Sequence, residues 1–172
     1  MPEGRGVRPT ASRAREALFD ILGHAAFAER RAIDGARVLD AFAGTGALGL
    51  EALSRGAAHA SFMERDRDAR ALLAANIAAL GEDENARVLA ADALHPPRAP
   101  APCELIFMDP PYGEDVAAAA LSALAQQDWI AGGAVIALEL PAKHHFAIPG
   151  GFVLRDQRRY GRASILFVTP SA

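Results

Sequence analysis

A chain of 172 residues, 51% hydrophobic and with a formal net charge of −3, has the length and apolar content for one domain with a full core. No apolar run approaches the roughly 18 residues a membrane-spanning helix needs, and no charged-then-apolar leader opens the chain, so a soluble, cytoplasmic protein without membrane association is expected. Cys103 is the single cysteine, which excludes a disulfide framework and a thiolate zinc cluster and suits a small core residue at a strand start.

In chain order, Thr10 or Ser12 can cap a helix running to about Phe27, because Ala14, Leu18, Ile21 and Leu22 recur at helical spacing. After Gly35 the pattern becomes that of alternating strands and helices. Strands are expected at 36–41, 58–64, 87–91, 104–108 and 133–140, and helices at 44–55, 67–80 and about 115–126. The helix at 67–80 is closed by Gly81, and a Pro-rich loop (Pro96, Pro97, Pro100, Pro102) precedes the fourth strand. Such alternation builds βαβ units and a parallel sheet covered on both faces. Residues 152–160 and 163–168 are separated only by Gly161 and Arg162, which is hairpin spacing, so an antiparallel hairpin should close the sheet. Residues 1–30 read as a basic segment and helix packed on a core of residues 31–172, one structural domain overall.

Charge is unevenly placed. Residues 1–37 carry seven Arg against five acids, residues 38–140 six Arg against fifteen acids, and residues 141–172 five bases against one acid. Basic ends around an acidic middle suit a polyanion on one side of the folded chain if the termini meet; otherwise they make an ordinary mixed surface.

Gly44-Thr45-Gly46-Ala47-Leu48-Gly49 follows a strand, opens a helix and is answered by Glu64 at the next strand end, the context of an adenosine-ligand loop. NAD and S-adenosylmethionine share those needs. Asp40 separates them: a carboxylate at the first strand tip repels a pyrophosphate on the helix N-terminus and attracts the ammonium and sulfonium of S-adenosylmethionine. Asp92, at the third strand end, is placed to accept from an adenine amine, although Asp also commonly caps a helix or turn.

Asp109-Pro110-Pro111-Tyr112 follows the fourth strand. Two prolines stiffen the backbone and hold the preceding residue extended. Asp109 and the Pro110 carbonyl can then accept from an amine while Tyr112 stacks on its ring; the competing reading is a surface turn. An ionised carboxylate only accepts hydrogen bonds, which suits the adjacent N1–H and N2–H of guanine better than the edge of adenine. Asp40, Glu64, Asp92 and Asp109 each end a strand and should converge on one rim. His144 and His145 are adjacent, would face opposite ways in a strand, and are assigned no metal.

DAFAGTGALGLEALSRGA at 40–57 and FMDPPYG at 107–113 resemble the glycine loop and DPPY motif of class I S-adenosylmethionine-dependent methyltransferases that modify exocyclic amines. RPTASRAREALFDIL at 8–22 and YGRASILF at 160–167 are similar to the 16S ribosomal RNA guanine-N2 methyltransferase family, RsmD. The resemblance implies a Rossmann-like, mostly parallel seven-stranded sheet and methyl transfer to a guanine N2 in 16S ribosomal RNA or the assembling small subunit, by a monomer. It implies cofactor contacts at Asp40, Gly44, Gly46, Glu64 and Asp92, with Ala43, Arg65, Ala93 and Asp109 beside them, and a catalytic role for Asp109, Pro110, Pro111 and Tyr112. RNA contacts are expected from Arg8, Thr10, Arg13 and Arg15 at the first helix and from Arg158, Arg159 and Arg162 at the hairpin. Only Met1 to Val7 precede the RPT motif, where similar proteins carry a longer basic, Gly-rich stretch. Adenine-N6 or glutamine-N5 methylation, an NAD-dependent oxidoreductase and a non-catalytic RNA-binding module are the competing functions.

Overall fold

The computed structural model describes residues 9–27, 32–111 and 116–172, with side chains from residue 12 onward; Arg8, the Thr10 side chain and Tyr112 lie outside the described residues. The elements run α1 (Pro9–His24), β1 (Arg37–Asp40), α2 (Ala47–Ser54), β2 (His59–Met63), α3 (Arg67–Leu80), β3 (Ala86–Leu89), β4 (Cys103–Met108), α4 (Val116–Gln126), β5 (Ile130–Pro141), β6 (Phe152–Tyr160) and β7 (Ala163–Pro170). They form a seven-stranded sheet in the order β3-β2-β1-β4-β5-β7-β6. β1 to β5 are parallel to one another, and β7 enters antiparallel between β5 and β6.

Strand alternation divides the core between two faces. Val38, Leu105, Phe107, Val135, Ala137, Ile165 and Phe167 meet α1, α2 and α3 through Leu18, Phe19, Leu22, Leu50, Leu53, Leu73 and Ile77. Leu39, Ile106, Met108, Ile136, Leu138, Leu166 and Val168 meet α4 and Trp129 on the other. Helices therefore cover both faces, as parallel strands require. Phe19 of α1 stacks at a tilt on Phe107 of β4, centroids 5.5 Å apart, which fixes the first helix on the same face as the side chain of Asp40, bonded to Gly49 of α2. Among the described residues no helix is long and apolar enough to cross a membrane.

Several boundaries differ from the sequence reading, among them the start of α2, at Ala47 instead of Gly44. α1 begins at Pro9, where a missing N–H costs nothing, and ends at His24 instead of about Phe27. β5 begins at Ile130 because Cys103 pairs with Ile130 before the register shifts to Leu105 and Val135; Gly133, at φ 78°, accommodates the irregularity. β6 carries a second irregularity between Leu154 and Asp156, where Arg155 turns its Nε to Thr169 Oγ1 at 2.8 Å.

Candidate active site

Between β1 and β4 the strand order reverses, and at such a switch point the loops beyond the carboxyl ends part into a crevice. A cavity of about 590 Å³ lies there, lined by Phe42, Gly44, Glu64, Arg65, Asp92 and Asp109 among others. That volume suits a ligand of nucleoside size.

Backbone amides set the glycine loop and the second strand end in one piece. Gly44 N donates to Glu64 Oε2 at 2.8 Å, and Asp66 N donates to Glu64 Oε1 at 2.8 Å. Each carboxylate oxygen keeps a second lone pair, so Glu64 can still accept two ribose hydroxyls. Arg70 Nη1 donates to the carbonyls of Glu64 and Arg65, and Asn76 Nδ2 to the carbonyl of Thr45 at 3.0 Å, so α3 holds both loops. α3 is itself capped by Asp66, whose side chain accepts from Ala69 N.

The glycines divide their roles. Gly44, at φ 54°, would meet nothing with an added Cβ and leaves the loop open toward the cavity. Gly46, at φ 89°, would meet Leu73, and Gly49 would drive a Cβ into the buried Phe62 ring. The last two set the distance between α2 and the sheet.

The acids fall into two groups. Asp92 lines the cavity, with Oδ1 accepting from Leu94 N at 2.9 Å and Oδ2 3.5 Å from Arg65 Nη1, so the turn cap and the site position coexist in one residue. Asp40 stands behind the wall. It is 2% exposed, is not a lining residue, and accepts from Gly49 N at 3.0 Å. Burial pushes its carboxyl up to about 7, against the Gly49 amide, with Asp109 and Glu64 adding to the rise. The sequence reading expects Asp40 to contact the ligand directly; in the structure its carboxylate is buried and tied to α2. Ala43 and Gly46 likewise shape the loop from behind, Gly46 N donating to the carbonyl of Ala43 at 2.8 Å, while Arg65 and Ala93 line the cavity.

Asp109, Pro110 and Pro111 form the wall at the end of β4. Asp109 opens to the cavity while the surrounding protein raises its carboxyl above the usual range. Glu139 near the end of β5 is an acid the sequence reading left out. Met108 pairs with Leu138 at the last rung between β4 and β5, so Asp109 and Glu139 are the next residues on adjacent strands. Burial, and then the charge of Asp109, raises the Glu139 carboxyl to about 7.

The basic residues also separate. Arg15 lines a groove between α1 and α2 with Ser12, Phe19 and Arg55, and Arg13 is exposed on α1. The hairpin turn at Gly161 and Arg162 sits at the same end of the sheet as Asp109, since Ala163 pairs with both Pro141 and Tyr160 and Ala142 N donates to the carbonyl of Arg162. Arg158, Arg159 and Arg162 are exposed there, Arg158 beside Asp156 at 2.9 Å.

An open crevice walled by acids, with room for a glycine-loop ligand and a carboxylate-Pro-Pro ledge, fits an S-adenosylmethionine site. Fold and rim together define a class I methyltransferase. The chain belongs to the RsmD family, whose model, described as "Conserved hypothetical protein 95", matches residues 1–169. It is 34% identical over 166 residues to ribosomal RNA small subunit methyltransferase D of Escherichia coli K12, covering 95% of this chain and 80% of that protein. The corresponding protein of Haemophilus influenzae is 32% identical, over 92% of this chain and 81% of its own length. A solved structure, the putative methyltransferase yhhF from Escherichia coli, superposes with a TM-score of 0.80 at 32% identity, covering 93% of this chain and 86% of that one.

Proposed function

We propose that this methyltransferase transfers the methyl group of S-adenosylmethionine to the exocyclic N2 of a guanine in small-subunit ribosomal RNA, in the cytoplasm. The observation that carries the reading is the position of Asp109, which walls the acidic cavity and ends the strand that borders β5. Donor and acceptor then meet at one carboxylate.

When bound, S-adenosylmethionine supplies an electrophilic methyl on a sulfonium. Glu64 holds the ribose and Asp92 accepts from the adenine amine, while Asp40 contributes negative charge from behind the glycine loop. An aromatic amine is a weak nucleophile because its lone pair is delocalised into the ring. Asp109 and the Pro110 carbonyl accept its two N–H bonds, draw the nitrogen toward tetrahedral geometry and hold it in line for transfer. As the N–C bond forms and the C–S bond breaks, the nitrogen carries one proton too many, and Asp109 is placed to take it. Tyr112 stacks on the extruded base, a contact worth about 1 to 3 kcal/mol. Arg13, Arg158, Arg159 and Arg162 contact phosphates, with Arg8, Thr10 and Arg15 extending the grip along α1.

Incubating the protein with S-adenosylmethionine and unmodified small-subunit particles, beside naked ribosomal RNA, and mapping the product by mass tests the reading. N2-methylguanine at one position is expected. Methyl on adenine or on protein glutamine, or none at all, contradicts it.

A further inference from the structure

Among the described residues the cavity is walled by the loops after β1, β2 and β3, by Asp109, Pro110 and Pro111, and by Val116 at the start of α4, so most of it lies on the β1 side of β4. A planar acceptor reaching Asp109 while that side holds the donor comes from the β5 side. The next strand end there carries Glu139.

The last pair between β4 and β5 is Met108 with Leu138, so Asp109 and Glu139 come next on neighbouring strands, and Glu139, opposite Ile165, shares the sheet face of Ala137. Glu139 is half-buried at the end of an apolar strand, and among the described residues no side chain or amide donates to it. Asp109 lies near enough for its charge to act on Glu139. Two carboxyls brought together with no cation between them among the described residues are costly, and such an arrangement points to a ligand that supplies donors.

We infer that Glu139 is a specificity-determining residue, accepting the ring N1–H of the target guanine while Asp109 accepts from its N2 amine. This rests on the guanine reading above. Above about pH 8, where its carboxyl is ionised, Glu139 has no proton to offer and rejects a base that presents a lone pair beside its amine. A ring nitrogen in the acceptor state is therefore excluded by Glu139, while the amine remains the business of Asp109.

The probe is 2-aminopurine in place of the target guanine, which keeps the 2-amine and turns N1 into an acceptor. Methylation of both RNAs is compared for wild type, Glu139→Gln and Glu139→Ala, with S-adenosylmethionine affinity and melting temperature measured on each variant. In wild type, guanine is expected to exceed 2-aminopurine by tenfold or more in kcat/KM. In both variants the guanine rate falls while the 2-aminopurine rate holds or rises, so the ratio shrinks toward one with cofactor affinity retained. A purely structural role lowers both rates together and leaves the ratio unchanged, which overturns the inference; so does a variant that loses cofactor affinity in proportion. If wild type methylates neither RNA, the guanine reading itself fails and the role of Glu139 falls with it; if wild type methylates guanine and the ratio is insensitive to Glu139, only the inference fails.

Discussion

Gly44 and Glu64 are joined by an amide-to-carboxylate hydrogen bond of 2.8 Å that spans 20 residues and ties the loop after β1 to the end of β2. With Asp66 N on the other oxygen, both Glu64 oxygens are oriented before any ligand arrives. Preorganisation of this kind lowers the ordering cost of binding. Glu64→Ala removes the ligand contacts and frees the loop, and hydrogen bonds to a charged group contribute about 1.5 to 3 kcal/mol each. S-adenosylmethionine affinity should fall by roughly tenfold to a hundredfold, as read by calorimetry. Unchanged affinity removes Glu64 from the site.

Gly49 lies against the ring of Phe62, which is fully buried and has nowhere to go. Gly49→Ala forces α2 away from the sheet, and overpacking of this sort costs about 1 to 3 kcal/mol. The midpoint of urea unfolding should drop with the slope unchanged. The same change at Gly44, where a Cβ meets open space, costs only the strain of its positive φ.

Much of this arrangement was legible from residues alone. The Gly-opened helix after β1 and the acids at 40, 64, 92 and 109 were visible because strand ends are marked where apolar runs stop. The orientation of Asp40 was not. Whether a carboxylate at a strand tip turns to the ligand or to the helix behind it depends on which amides are free, and Gly49 N is. Glu139 was hidden for a different reason. In Val135-Ile136-Ala137-Leu138-Glu139-Leu140 it reads as one polar break in an apolar strand, and its neighbour Asp109 is known only from the pairing of β4 with β5. The one available signal was an acid near the carboxyl end of a strand buried on both faces. The insertion of β7 between β5 and β6 is likewise a long-range pairing that local pattern does not encode.

Asp40 and Glu139 both have carboxyls raised to about 7 in the folded chain. The folded state then binds protons more tightly than the unfolded state from about pH 4 to about pH 7, so their contribution to stability falls as pH rises through that window and levels off above it. For the buried Asp40 the full term is on the order of 4 kcal/mol. Asp40→Asn keeps an acceptor for Gly49 N without the charge. Its melting temperature relative to wild type should rise between pH 5 and pH 8, and a difference constant with pH contradicts the assignment.

Arg158, Arg159 and Arg162 stand exposed at the hairpin end beyond β5. As phosphate contacts they add affinity without reading sequence, each releasing about one counterion from the RNA. Replacing any one with Ala should reduce the slope of log affinity against log salt by about one unit, measured by titrating a ribosomal RNA fragment at several salt concentrations. A slope equal to that of wild type assigns the residue to solvent.

The account turns on Asp109 addressing the amine from the wall of the donor cavity. Asp109→Ala, assayed for methyl transfer to ribosomal RNA and for S-adenosylmethionine affinity on one preparation, tests this most directly. Transfer should be lost, with affinity within a few-fold of wild type, since Glu64 and Asp92 remain. Transfer at the wild-type rate would contradict the assignment.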